Sequence, residues 1–109
     1  MTGEEMVRLA AEKVMGWHWC NGFGTRWVDG NTGRDIAADD WNPFTSASDC
    51  RMLIDRMQEL GYEFRIEIAG GKTFVLIGRP KAQTAYHAHE ADFGRAIVLA
   101  SLRALGEKV

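Results

Sequence analysis

Apolar residues recur at helical spacing from the start of the chain. Met6, Leu9, Ala10, Val14 and Met15 fall on one stripe, and Thr2 with Glu5 three positions on forms a capping box ahead of them. The pattern predicts a helix over about residues 3–15, with Gly16 as its stop. A second helical stripe, Met52, Leu53, Met57 and Leu60, predicts a helix over about 46–60, with Ser46 able to cap it, Asp49 three residues on, and Gly61 closing it. The period then changes from helical to alternating. Tyr62, Phe64, Ile66 and Ile68 face one way and Glu63, Arg65 and Glu67 the other, which predicts a strand buried on one side. Ala69-Gly70-Gly71-Lys72 turns the chain back into a second strand over 73–78, and Arg79-Pro80 ends it. Residues 84–89 read as a third antiparallel strand. The last helix, about 90–105, is apolar at Phe93, Ala96, Ile97, Ala100, Ala104 and Leu105. Val98, Leu99 and Leu102 widen that surface, so two of its faces are expected to be covered.

Between the first two helices the periodicity fails. Residues 17–44 hold all four tryptophans, Trp17, Trp19, Trp27 and Trp41, among glycines and asparagines. Arg26-Trp27-Val28 and Arg34-Asp35-Ile36 flank the turn sequence Asp29-Gly30-Asn31-Thr32-Gly33 and suggest a short hairpin. The proline after Asn42 holds that residue extended. The order of elements contains no βαβ unit and no glycine fingerprint before a helix, which argues against a Rossmann-type or P-loop nucleotide fold. The expectation is an α+β fold in which helices pack on a small antiparallel sheet, an α-β-α sandwich forming one domain over residues 1–109.

Composition narrows the function classes more than it selects one. With 13 basic and 15 acidic residues the net charge is −2, so coating extended nucleic acid or an anionic membrane is not expected. Nothing approaches the roughly 18 consecutive apolar residues of a membrane span. The acidic start, Met1-Thr2-Gly3-Glu4-Glu5, does not resemble a secretory or mitochondrial leader, and Cys20 and Cys50 read as free thiols. A cytoplasmic protein is expected.

Catalytic chemistry finds no positive pattern. His87 and His89 share a strand face and, with His18 and Glu90, are the candidates for zinc. They lack the fixed spacing of a metal motif, and two surface histidines are the plainer account. Neither cysteine lies in a nucleophile signature, no serine occupies a G-x-S-x-G elbow, and the carboxylates Asp29, Asp35, Asp39 and Asp40 suit turns and caps better than a calcium loop. No catalytic residue, cofactor or metal is expected. The better lead is an aromatic set, Trp19, Trp27, Trp41, Phe23 and Phe44, in one segment with Arg26 and Arg34, while Arg65 and Arg79 lie on or beside the predicted sheet. Bases stack on aromatic faces and guanidinium forks bind phosphate. The bland alternative makes Trp17 and Trp41 core anchors of a long loop, and leaves Trp19 and Trp27 open between core and ligand contact.

The opening helix ending Glu12-Lys13-Val14-Met15-Gly16-Trp17, the element Trp41-Asn42-Pro43 with the helix after it, and the closing run Gly94-Arg95-Ala96-Ile97-Val98-Leu99-Ala100-Ser101-Leu102 together resemble the phage ABA sandwich domain, a family of small phage and prophage proteins. The resemblance implies a protein of the infected host cytoplasm and supplies no catalytic residues. Small phage proteins without catalytic signatures often act by binding, some by sequestering nucleotide signals of bacterial immunity. The expectation is therefore a non-enzymatic homo-oligomer that binds a small nucleotide-derived ligand, with Trp19, Trp27 and Trp41 on the base, Arg26, Arg65 and Arg79 on phosphates and His87 on a ribose. The rival expectation is a module that contacts a host protein through exposed tryptophans. A metal-dependent hydrolase or nuclease and a single-strand binder are weaker rivals.

Overall fold

The computed structural model describes residues 2–20, 26–37, 40–79, 85–90 and 92–109, and for 85–90 the strand backbone alone. Phe23, Asp39, Pro80 and Thr84, and the side chains of His87, His89 and Glu90, lie outside the described residues. Among the described residues no helix is long and apolar enough to cross a membrane.

The Thr2 hydroxyl accepts the Glu5 N–H at 3.1 Å and starts helix α1, Gly3–Leu9. The helix runs on as expected, but Ala10–Val14 is wound as a π-helix. The Met15 N–H reaches back to the Ala10 carbonyl and the Trp17 N–H to the Ala11 carbonyl, at 3.1 and 3.0 Å. The buried face shifts with the widened turn: Ala11, off the predicted stripe, is buried, whereas Leu9 and Met15 are only half-buried. Gly16 then takes φ 73°, and the chain leaves the helix with Trp17 buried.

Helix α2, Ala47–Glu59, is capped by the Ser46 hydroxyl, which accepts the Asp49 N–H at 3.3 Å. The reciprocal half of a capping box is not made. The Ser46 N–H is taken by the Asn42 carbonyl at 2.9 Å, and the Asp49 carboxylate accepts the Asn42 N–H instead, also at 2.9 Å. Two bonds therefore tie the Trp41-Asn42-Pro43 element to the start of α2. Cys50, Leu53 and Met57 are its buried face.

The segment without periodicity forms a sheet of its own. Strands β1 (His18–Cys20), β2 (Arg26–Val28) and β3 (Asp35–Ala37) are antiparallel in that order. The hairpin at Asp29 to Gly33 is as expected; β1 was not, since three residues are too few to show an alternation. Trp19, Trp27 and Ile36 stand opposite one another and join the common core. In the turn the Asn31 N–H and Thr32 hydroxyl bind the Asp29 carboxylate and hold it below the usual carboxylate range.

The second sheet is the predicted meander: β4 (Glu63–Ala69), β5 (Lys72–Gly78) and β6 (Ala85–Glu90). Its first turn places Gly70 and Gly71 at φ 59° and 73°, the left-handed pair of a tight hairpin. Helix α3, Phe93–Ala104, packs on β5 and β6 and touches α1, the π-turn and α2 on its other side. Residues from Ala96 to Leu102 are all buried, so both faces are covered as the widened stripe predicts. Gly94 allows α3 to sit directly on the backbone of Pro43 and Phe44. An apolar expectation on β4 fails because α3 packs on β5 and β6. Ile66 and Ile68 stay 38% and 68% exposed although they share the inward face, and Phe93 at the start of α3 stays 40% exposed. The whole is an α+β domain of helices packed on small antiparallel sheets.

Candidate functional site

Three of the four tryptophans are interior. Trp17, Trp27 and Trp41 are 5%, 2% and 2% exposed, and Trp17 meets Trp41 edge to face at 5.1 Å between centroids. Trp41 was expected as an anchor and is one; Trp27 is resolved toward the core. Trp19 is the half-buried one. Its ring packs edge to face on Trp27 at 4.6 Å, so a buried indole supports the one that reaches solvent.

An open groove of about 430 Å³ lies over this pair, a size that suits a small-molecule site. Trp19, Trp27 and Trp41 line it from the small sheet and the segment that follows, and Phe44 closes one side. Gly3, Val7 and Arg8 come from α1. The Arg8 guanidinium lies 4.3 Å from the centre of the Trp19 ring, a cation stacked on an indole at the surface. Glu4 adds a carboxylate to the same groove. The Trp41 indole N–H is buried without an acceptor among the described residues. Asn42 is held by Asp49 on one side and accepts the Phe44 N–H through its side-chain oxygen at 2.9 Å, which fixes Phe44 at the groove wall.

The other predicted ligand residues are distributed elsewhere. Arg26 lies in β2 beside Trp27, its Nε 3.5 Å from Asp35, close enough for an ion pair but too poorly aligned for a hydrogen bond. Arg79 lies over the Tyr62 ring at 4.7 Å. Arg65 belongs to the outer face of the second sheet, in one cross-strand row with Leu76 and His87. Among the described residues none of β4 or β5 lines the groove. The structure thus brings the three tryptophans to one place and leaves Arg26, Arg65 and Arg79 outside it, while the side chain of His87 lies outside the described residues.

Arg8 is the residue the sequence does not single out. It sits on the polar side of a helix next to Val7, and nothing in its neighbours links it to an indole eleven positions on until the chain folds back.

A second open groove, about 410 Å³, lies where Arg34 and Arg56 face Asp29, Asp55 and Glu59. Arg56 is already engaged, by Glu59 at 3.1 Å and by the Val14 carbonyl at 3.3 Å, so this groove offers less to an anion than the first. Cys50 is buried in α2 and burial pushes its thiol up to about 11, far from a thiolate at neutral pH. Among the described residues no three His, Cys, Asp or Glu side chains gather as a metal site.

A family model described as the phage ABA sandwich domain matches residues 8–102, most of the chain. Neither a curated protein nor a solved structure matches it.

Proposed function

The chain belongs to the phage ABA sandwich domain family, and from that premise we propose that it is a non-enzymatic binder of a small planar anion, a nucleotide-derived compound, held in the groove of Trp19 and Arg8. The observation that carries this reading is the guanidinium of Arg8 stacked at 4.3 Å on the solvent-reaching ring of Trp19. A base sliding along Trp19 toward Phe44 gains stacking area, and its phosphate meets a planar fork that is already oriented. Glu4 suits an exocyclic amine or a ribose hydroxyl. Trp27 supports Trp19 from beneath.

Retention without turnover fits a phage protein that removes a host signal from solution, in the cytoplasm of the infected cell. The rival reading, a host-protein contact made by exposed tryptophans, is left with Trp19 alone, because the other three are buried.

Tryptophan fluorescence during titration with linear and cyclic nucleotides tests the proposal. Binding is expected to quench emission in the unaltered protein. In Arg8→Ala affinity falls by roughly tenfold or more, as loss of a charge-assisted contact implies, and Arg8→Lys keeps only part of it. Arg8 is exposed, so its removal leaves the melting temperature nearly unchanged. Equal affinity in Arg8→Ala and the unaltered protein would remove this groove as the site.

A further inference from the structure

Strand β4 ends its sheet: among the described residues it pairs with β5 alone, and none of them pairs with its other edge. Ala69 and Lys72 close the two-glycine turn as a hydrogen-bonded pair, so alternation along an antiparallel ladder aims the backbone groups of Glu63, Arg65, Glu67 and Ala69 at β5. The N–H and C=O groups of Phe64, Ile66 and Ile68 therefore point outward along the free edge. Natural edges of this length are normally blunted by proline, a bulge or an inward charge. This one has none of those between Glu63 and Ala69, only the charged side chains of Glu63, Arg65 and Glu67 on its outer face, which natural edges also use, and two of its apolar side chains, Ile66 and Ile68, remain exposed on the inward face.

The strand reads almost the same in both directions about Ile66. Arg65 precedes it and Glu67 follows; Phe64 and Ile68 stand one step further out. A second β4 laid antiparallel with Ile66 opposite Ile66 sets Arg65 against Glu67 of the second copy, and Glu67 against its Arg65. Both pairs fall at non-hydrogen-bonded positions, where opposing side chains approach most closely. On the other face Phe64 meets Ile68 of the second copy and Ile68 meets its Phe64. The outward backbone groups of Phe64, Ile66 and Ile68 occupy the hydrogen-bonded positions of that same register. Charge, apolar contact and backbone bonding all select one alignment, and its two-fold axis runs perpendicular to the sheet, as closed dimers require. A slip by one residue would set outward backbone groups against inward ones and turn the isoleucines to opposite faces.

We propose that β4 is a dimer seam, at which a second copy of this chain extends the sheet through the register centred on Ile66. The dimer forms one continuous sheet with the helices of both copies on the same face, and the exposed isoleucines become a shared apolar strip. The groove of Trp19 lies away from the seam, so the dimer presents two of them and does not depend on what they bind.

Sedimentation equilibrium with charge reversals tests the seam. The unaltered protein is expected to dimerise. Arg65→Glu and Glu67→Arg, both at exposed positions and harmless to the fold, each replace two attractive pairs by two repulsive ones and weaken the dimer by roughly tenfold or more. An equimolar mixture of the two single variants restores association, because glutamates of one chain then oppose arginines of the other. The double variant R65E/E67R also restores it. A protein that stays monomeric at several hundred micromolar overturns the proposal. So does a dimer that neither reversal weakens, which would assign the contact to another surface, and so do single variants that fail to rescue each other, which would reject the register.

Discussion

Replacing Gly94 by alanine adds one methyl group where the approach is tightest among the described glycines. A Cβ built there falls inside the contact distance of the Pro43 carbonyl oxygen and lies 2.9 Å from Phe44 Cα and 3.0 Å from the Phe44 oxygen. Comfortable contacts of this kind begin near about 3.5 Å. All three neighbours are backbone, so no side chain can rotate away. The start of α3 and the Pro43-Phe44 turn must separate, and the turn is itself held by Asn42 and Asp49. Overpacking of this kind costs about 2–3 kcal/mol, offset by up to about 1 kcal/mol because alanine is the better helix former. A net loss of roughly 2 kcal/mol corresponds to a melting point lower by about 8 °C for a domain of this size. Gly16→Ala is the comparison. It sits at φ 73° with open space around it, so it meets only the left-handed backbone penalty of about 1 kcal/mol. Calorimetry on the two variants checks the order. A Gly94→Ala protein as stable as the unaltered one, or more stable than Gly16→Ala, would refute the close seating of α3 on this turn.

Asp49→Ala removes the acceptor of the Asn42 N–H and should cost about 1–2 kcal/mol in urea denaturation, whereas Asp49→Asn, which keeps an oxygen there, should lose less. Cys50 should resist iodoacetamide at pH 8 in the native protein and react only on unfolding. Its thiol titrates at about 11 when folded against 9.0 as its ordinary value, so the stability it contributes is complete below pH 9 and is lost as the pH rises toward 11; Cys50→Ala should flatten that loss in thermal melts read across the window. Tyr62→Phe should lower stability by about 0.5–1 kcal/mol, since its hydroxyl donates a long bond, 3.4 Å, to the Ala104 carbonyl.

The parts of this fold legible in the sequence are those whose signal is local and periodic. The alternation of Tyr62 to Ile68, the glycine pair at 70 and 71, the caps at Thr2 and Ser46 and the doubly covered closing helix all follow from spacing, and the structure places them so. The π-turn and β1 were hidden because one is a single widened turn within a stripe that reads as ordinary helix and the other is too short to alternate. The groove was half legible. Three tryptophans crowded into an irregular stretch pointed to it, yet which of them reaches solvent is decided by α1 and the 41–44 turn, and the cation beside Trp19 comes from Arg8 and not from Arg26, the nearest arginine in the aromatic segment. Arg65 drew notice for charge on a sheet face; what its place offers is a strand edge, visible only once β4 is known to be outermost.

The central claim, that the groove of Trp19 and Arg8 holds a small planar anion, is tested most directly by a thermal-shift screen against linear and cyclic nucleotides and ADP-ribose derivatives, run in parallel on the unaltered protein and Arg8→Ala. A ligand bound only by the native state adds about 2.7 kcal/mol at a hundredfold excess over Kd. One compound class should therefore raise the midpoint by several degrees in the unaltered protein and much less in the variant. A flat screen, or equal shifts in both proteins, would contradict the account.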